Sequence, residues 1–156
     1  MEPIELEKSR VENEPYIVWN AFIDLIAEDP DKLSDVQGVA HFAFWYDSEV
    51  QNGGHIQYFE NMFNRYKDKE DILVSATLEA LKIIGVKKQA KILTKASKQY
   101  FSRKRKHLSS VEEFIELELE DEFEKFDDSY YDCSPDMNTY LEKYLQTHLM
   151  EFVRII

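Results

Sequence analysis

The sequence contains few of the residues that cross-link small folds, form tight turns or build reactive sites. Its 156 residues include one cysteine, four glycines, four prolines and four histidines. The single Cys133 excludes a disulfide within the chain, which fits either a reducing compartment or a fold that needs no cross-link. The densest apolar run, residues 39–46, is far shorter than the roughly 18 residues that cross a bilayer, and the acidic first residues lack the basic start of a signal peptide. We therefore expect a cytoplasmic protein with no membrane partner.

Catalytic and metal-binding motifs are missing as well. The sequence has no G-x-G-x-x-G, no P-loop and no G-x-S-x-G, so nucleotide chemistry and acyl transfer lack support. No histidine follows a glutamate by three residues, the spacing used by di-metal sites in helical bundles; the four are His41, His55, His107 and His148. Acidic neighbours should raise the thiol pKa of Cys133 and keep it unreactive. We expect no catalytic residue, no metal and no cofactor, and we interpret His41 as a hydrogen-bonded core residue.

Acidic and aromatic side chains, by contrast, are abundant and unevenly placed. The net charge is −12, from 31 acidic and 19 basic residues. Ten acids and three bases fall in residues 1–36, nine bases and no acid in residues 87–107, and ten acids and one base in residues 112–128. The excess of acid opposes binding to nucleic acid or to anionic membranes. The segregation indicates either solvated helix faces that neutralise one another or a functional electrostatic surface.

Apolar residues recur at three- and four-residue steps through most of the chain, which predicts helices and no strand. Ser34 and Gln37 form a capping box before the second helix, and Ser134-Pro135-Asp136 has the features of a helix start. The sequence predicts a single all-α domain at 15–156, a bundle of six to seven helices, preceded by an N-terminal arm at 1–14. The predicted helices begin near residues 15, 38, 56, 73, 86, 112 and 134.

The acidic segment, residues 112–128, can be interpreted in two ways. Within 114–120, Ile115, Leu117 and Leu119 alternate with glutamates as in an exposed strand, yet a longer apolar stripe fits a helix, which we favour. On that helix one set of acids forms an acidic ridge with steps of about 6 Å: Glu112, Glu116, Glu120 and Glu124, flanked by Glu113 and Asp127. Such a ridge can imitate the phosphates of DNA. The alternatives are a solvated face or a dimer contact with lysines.

The basic segment, residues 87–106, resembles the charged stripes of nucleic-acid-binding modules. Lys87, Lys91 and Lys95 lie at helical spacing. Because the chain is acidic overall and ten acids follow, we expect the acidic segment of the same or another copy to be its partner. Direct nucleic-acid binding is not expected, and a weak nucleic-acid binder remains an alternative.

Two adjacent glycines, Gly53 and Gly54, separate two predicted helices and indicate a tight joint in the core. The motif around them resembles the signature of the bacterial DNA-mimic protein family; its residues are Asn52, Gly53, Gly54, Gln57, Tyr58, Phe59 and Asn61. The resemblance extends from about residue 15 and implies an architectural role for these residues. It also implies a homodimeric acidic protein that occupies the DNA-binding surface of a regulator. An apolar residue usually follows the glycines in this family, so we expect His55 to be a partly exposed helix-start residue.

These observations predict a non-enzymatic interaction protein that acts as a DNA mimic on a DNA-binding protein and forms a homodimer. The acidic ridge would carry the contact. The alternative is a helical protein whose charge segregation serves solubility and homodimerisation.

Overall fold

A computed structural model describes residues 1–67, 69–102 and 122–156 of the chain. Within these residues the fold is a single all-α domain, as predicted, with two very short strands. The elements in chain order are β1 Ile4–Leu6, α1 Lys8–Asn13, α2 Tyr16–Ile26, a 3₁₀ turn Pro30–Lys32, α3 Asp35–Arg65, α4 Glu70–Ile84, α5 Lys87–Phe101, α6 Glu124–Tyr131, α7 Met137–Thr147, α8 Leu149–Phe152 and β2 Val153–Ile155.

Helix α3 is the element around which the others pack. It begins at the predicted capping box: Gln37 N donates to Ser34 Oγ at 3.3 Å, and Ser34 N donates to Gln37 Oε1 at 3.0 Å. Its helical geometry is interrupted at Gly53 and Gly54, so α3 consists of two helices joined end to end. Helices α2, α4, α6 and α7 all contact it. Gly54 is buried in the core, whereas Gly53 is exposed on the outer side of the joint.

The prediction that the chain has no strand was wrong. β1 pairs with β2 in parallel, with Ile4 opposite Val153 and Leu6 opposite Ile155. Three-residue strands are too short to produce a recognisable alternation of apolar and polar residues, so no sequence pattern indicated them. Residues 1–14 thus include β1 and α1, and the pairing brings the two chain ends together.

The start and the end of the last predicted helix also differ from the prediction. Asp136, not Ser134, caps α7, because its Oδ1 accepts from Thr139 N at 2.9 Å and from Thr139 Oγ1 at 2.7 Å. The helix ends at Thr147, and α8 follows before the chain enters β2. The apolar stripe continues across this break, which is why a single helix was predicted.

Most of the acidic segment lies outside the described residues, including the stretch 114–120 for which helix and strand were the alternatives. Its last part forms α6, with Phe123 and Phe126 buried in the core. In the described ranges no helix is both long and apolar enough to cross a membrane.

Candidate functional site

The joint in α3 is held by a side chain from α6. Gly54 has φ 74° and ψ −177°, a conformation available essentially to glycine alone. A Cβ atom on Gly54 would lie 2.4 Å from Asp127 Oδ2. Glycine is therefore required here for two reasons, the backbone conformation and the close approach of the carboxylate.

Asp127 binds the first residue after the joint through two hydrogen bonds. Its Oδ1 accepts from His55 N at 2.8 Å and from His55 Nδ1 at 2.5 Å. The other ring nitrogen, Nε2, lies 2.8 Å from the Tyr46 hydroxyl. Because a carboxylate only accepts, Nδ1 carries a proton, and in the neutral ring Nε2 then accepts from the Tyr46 hydroxyl. We call the three residues Tyr46, His55 and Asp127 the clasp.

Two further tyrosines of α6 strengthen the same contact. Tyr130 Oη donates to Asp47 Oδ1 at 2.6 Å, and Tyr131 Oη donates to the carbonyl of Val50 at 2.8 Å. Burial raises the pKa of Asp47 above its usual value, although the hydrogen bond from Tyr130 opposes this shift. Burial likewise raises the pKa of Tyr46 well above its usual range. Helix α6 is thus bound to both sides of the joint.

The expectation that His55 is partly exposed was wrong. His55 and Tyr46 are both 0% exposed, and the Asp127 side chain is 15% exposed. An aspartate that orients a histidine is also found in catalytic triads. Here, however, the outer ring nitrogen is occupied by a buried tyrosine, so a substrate has no access to it. The clasp can fix the two halves of α3 against α6, and it lacks the exposed reactive atom that catalysis requires.

The clasp could not be recognised from sequence patterns because its members, residues 46, 55 and 127, are far apart in the chain. One signal was available: a histidine where an apolar residue was expected in an otherwise aromatic core. A buried imidazole needs partners for its nitrogens, but with nine tyrosines and 31 acids in the chain this signal does not select Tyr46 and Asp127.

The remaining residues of the motif around Asn52 lie along the same joint. Tyr58 and Phe59 are fully buried. Gln57 Nε2 and Asn61 Nδ2 both donate to Glu49 Oε2, at 2.9 and 2.7 Å. Asn52 and Gly53 are exposed at the outer side of the turn. The two amides therefore connect the second half of α3 to the first.

The acidic ridge is described only at its end. Glu112, Glu113, Glu116 and Glu120 lie outside the described residues, so their placement stays a prediction. Glu124 is exposed in the first turn of α6, whereas Asp127 belongs to the clasp and binds His55. Asp127 flanks the ridge in sequence and binds His55 beside the joint, so the two features meet at this residue.

The lysines of α5 form one continuous exposed surface, which we call the lysine stripe. Its members are Lys87, Lys88, Lys91, Lys95 and Lys98. Lys88 Nζ donates to the carbonyl of Ser134 at 3.0 Å. The buried side of the same helix includes Leu93, Ala96 and Tyr100.

The remaining candidates are a histidine, a cysteine and a groove. His41 is buried and its Nδ1 donates to the carbonyl of Ile26 at 2.7 Å, which confirms the predicted core role. Burial raises the pKa of the Cys133 thiol, and Asp132 adds to this effect while Lys88 opposes it. No group of three or more metal-ligating side chains converges within the described ranges. An open groove of about 370 Å³ lies between α2 and α7 and is lined by Trp19, Glu142 and Leu145 among others.

The chain is similar to a known protein family. A family model described as DMP19-like protein matches residues 31–148. No curated protein and no solved structure matches the chain. The family inferred from the motif around Asn52 is corrected accordingly: the match is to DMP19-like protein, and it begins at residue 31, not near residue 15.

Proposed function

Because the chain belongs to the DMP19-like protein family, we propose that it is an acidic DNA mimic that occupies the DNA-binding surface of a protein partner. DMP19 itself is described as a DNA mimic protein. The family match over residues 31–148 is the observation that carries this proposal. It covers the joint, the clasp and the whole acidic segment.

The charge of the chain supports the proposal. Its net charge of −12 would steer a positively charged surface toward it and raise the rate of association. All ten acids of residues 1–36 are exposed. The three bases of that region are already in ion pairs within it: Lys8 with Glu12, Arg10 with Glu14 and Lys32 with Glu28. The excess negative charge is therefore available to a partner.

We place the partner contact on the acidic ridge, at Glu112, Glu113, Glu116, Glu120 and Glu124. Glu112, Glu116 and Glu120 repeat at intervals of about 6 Å if their segment is helical. Glu113 flanks them, and Glu124 is the first residue of α6. Asp127, the sixth residue predicted for the contact, is better explained by its bonds to His55. In this proposal Asp127 anchors the end of the ridge and does not bind the partner.

The first experiment asks whether a partner is captured and whether it competes with DNA. The tagged protein is incubated with an extract of its own host, and the recovered proteins are tested for DNA binding. A labelled DNA duplex is then bound to the recovered partner and titrated with the chain. We expect displacement of the duplex. A partner that binds the chain and the duplex at the same time would contradict mimicry, as would recovery of no DNA-binding protein.

A pair of charge-reversal variants then locates the contact. Glu116→Lys, Glu120→Lys and Glu124→Lys combined change the net charge by the same amount as Asp24→Lys, Glu28→Lys and Asp35→Lys combined. We expect the first triple variant to weaken partner binding by roughly tenfold or more and the second to have a much smaller effect. Equal losses would show that total charge, and not the ridge, determines binding.

We also propose that the chain forms a homodimer. The observation in favour is the open groove between α2 and α7, whose lining includes the apolar residues Val18, Trp19 and Leu145. Tyr16 and Met150, which are next in sequence to the lining residues Pro15 and Leu149, are both largely exposed. Light scattering at micromolar concentration should give twice the monomer mass, and Met150→Glu should shift the equilibrium toward the monomer. A wild-type monomer at that concentration would refute the dimer.

A further inference from the structure

The lysine stripe occupies one narrow face of α5. With 100° of rotation per residue, its five lysines fall within an arc of about 100°. The stripe extends about 16 Å from Lys87 to Lys98, at 1.5 Å per residue. The core face of the helix, with Leu93 and Ala96, lies on the opposite side. The positive charge therefore forms a single line along one face of α5.

The described residues supply no carboxylate to neutralise this line. The ion pairs found in residues 1–67, 69–102 and 122–156 leave all five lysines unpaired. The single polar contact of the stripe in these ranges joins Lys88 to a backbone carbonyl. The stripe is therefore open to an external anion.

This arrangement destabilises the helix that carries it. Lys87, Lys91 and Lys95 follow one another at four-residue steps, where like charges repel. Lys87 and Lys88 also lie at the positive end of the helix dipole, and the first turn contains no acid. A bound anion would relieve both effects, whereas solubility alone would not require the lysines to be aligned.

An exposed aromatic ring lies at the C-terminal end of the stripe. Phe101 is 46% exposed and follows Lys98 by three residues. Around the helix it lies about 60° from Lys98 and about 40° from Lys87. Proteins that bind single-stranded nucleic acid combine a positive track for the phosphates with aromatic rings on which bases stack. The stripe and Phe101 have this combination.

We propose that the lysine stripe binds single-stranded nucleic acid, with phosphates on the lysines and a base stacked on Phe101. A single nucleic-acid strand can follow one helix, whereas a flat membrane needs a broader basic surface, and the neighbouring helix α6 has exposed acids, Glu124 and Asp128. Repulsion from the remaining acids is limited by screening, since charges beyond about 8–10 Å contribute little at physiological salt. This activity is separate from the proposed DNA mimicry and uses a different surface.

The test is fluorescence anisotropy of a labelled oligothymidylate, which has unstacked bases and no secondary structure. We expect binding at about 50 mM salt, and the logarithm of the binding constant should fall with the logarithm of salt at a slope near −3.5, for five phosphate contacts. Affinity should therefore fall about 100-fold between 50 and 200 mM salt. Absence of binding at 50 mM would overturn the proposal.

Matched variants assign the contacts. Lys91→Gln with Lys95→Gln should reduce the slope to about −2.1, because two contacts are lost. Lys82→Gln with Lys143→Gln changes the net charge equally outside the stripe and should leave the slope unchanged. Phe101→Ala should weaken binding about fivefold or more. Circular dichroism of each variant verifies that it is folded.

Three results would overturn the proposal. They are an equal loss of affinity in the control pair, equal affinity for a duplex of the same length, and retention of affinity in Phe101→Ala.

Vesicles containing phosphatidylserine and light scattering complete the test. Binding to vesicles without binding to the oligonucleotide would assign the stripe to a membrane surface. Self-association that is lost in the Lys91→Gln and Lys95→Gln variant would assign it to a second copy of the chain.

Discussion

The clasp and the lysine stripe place polar and charged groups in opposite situations. In the clasp, the nitrogens of His55 and the bound oxygen of Asp127 meet partners at 2.5–2.8 Å inside the core. In the stripe, five like charges lie side by side on an exposed helix face. The first arrangement stabilises the fold at a point where glycine interrupts a helix. The second weakens its own helix.

This difference separates residues that maintain the fold from residues that remain available to a partner. Buried polar groups need complete hydrogen bonding, so a change in the clasp should reduce stability strongly. Exposed charges interact weakly through solvent, so a change in the stripe should alter stability little and can alter binding greatly.

The largest effect should follow from Gly54→Ala. The new Cβ atom would meet Asp127 Oδ2 at 2.4 Å in a backbone conformation that only glycine tolerates. We expect a loss of roughly 3 kcal/mol or more in the free energy of unfolding, measured by urea denaturation. The control is Gly38→Ala, at a helical position with no atom within 4 Å of the new Cβ. It should be neutral or slightly stabilising. Equal stability of the two variants would contradict the role of the joint.

Asp127→Ala should have the next largest effect. It leaves the backbone N–H and the Nδ1–H of His55 without an acceptor inside the core, at a cost of about 2–3 kcal/mol. Asp128→Ala, in the next position of α6 and exposed, should change stability by less than about 0.5 kcal/mol. If both variants lose the same stability, the charge near the helix start matters and the clasp does not.

Local features of the fold could be predicted from sequence because each depends on residues close together in the chain. The capping box at Ser34 and Gln37 formed as predicted, since both partners lie within one turn. The joint at Gly53 and Gly54 was recognised because glycine is rare in this chain. Helical periodicity was sufficient for the fold class.

Contacts between distant residues could not be predicted in the same way. The pairing of Ile4 with Val153 and the bond between His55 and Asp127 join residues far apart in sequence. Asp127 shows the consequence: four-residue spacing placed it beside a surface ridge, yet packing of α6 against α3 turns its carboxylate toward the joint. Charge and periodicity could not distinguish a carboxylate on the surface ridge from one that points into the joint.

His41 should make stability depend on pH. Burial lowers its pKa below 6.5, and nearby Arg65 adds to this effect, while the bond to the Ile26 carbonyl and the charge of Asp29 oppose it. The folded state therefore favours the neutral ring. Its contribution to stability is complete above pH 6.5 and is lost as pH falls toward the lowered pKa.

His41→Asn keeps a donor for the Ile26 carbonyl and removes the titration. Between pH 7.5 and pH 5 we expect the variant to lose less stability than the wild type, measured by urea denaturation at each pH. Ala43→Gly, a destabilising change in the same helix, should retain the wild-type dependence. A parallel dependence in His41→Asn and the wild type would show that the imidazole is not responsible.

The smallest effect on stability is expected in the lysine stripe, where one substitution should increase it. Lys87→Glu places an acid at the positive end of the α5 dipole and turns repulsion from Lys91 into attraction, for a gain of about 0.5–1 kcal/mol at low salt. Lys98→Glu changes the net charge equally but places the acid at the negative end, so it should give no gain. The difference between the two variants should shrink in high salt, because both effects are electrostatic.

Lys87→Glu and Lys98→Glu also test whether the lysines that destabilise α5 are the residues that bind nucleic acid. If the lysines bind phosphates, both variants should bind oligothymidylate more weakly than the wild type, although Lys87→Glu is the more stable protein. A stripe retained only for solubility predicts no such loss in either variant. The decisive case is Lys87→Glu, in which stability rises while binding falls, because a structural defect cannot produce both changes.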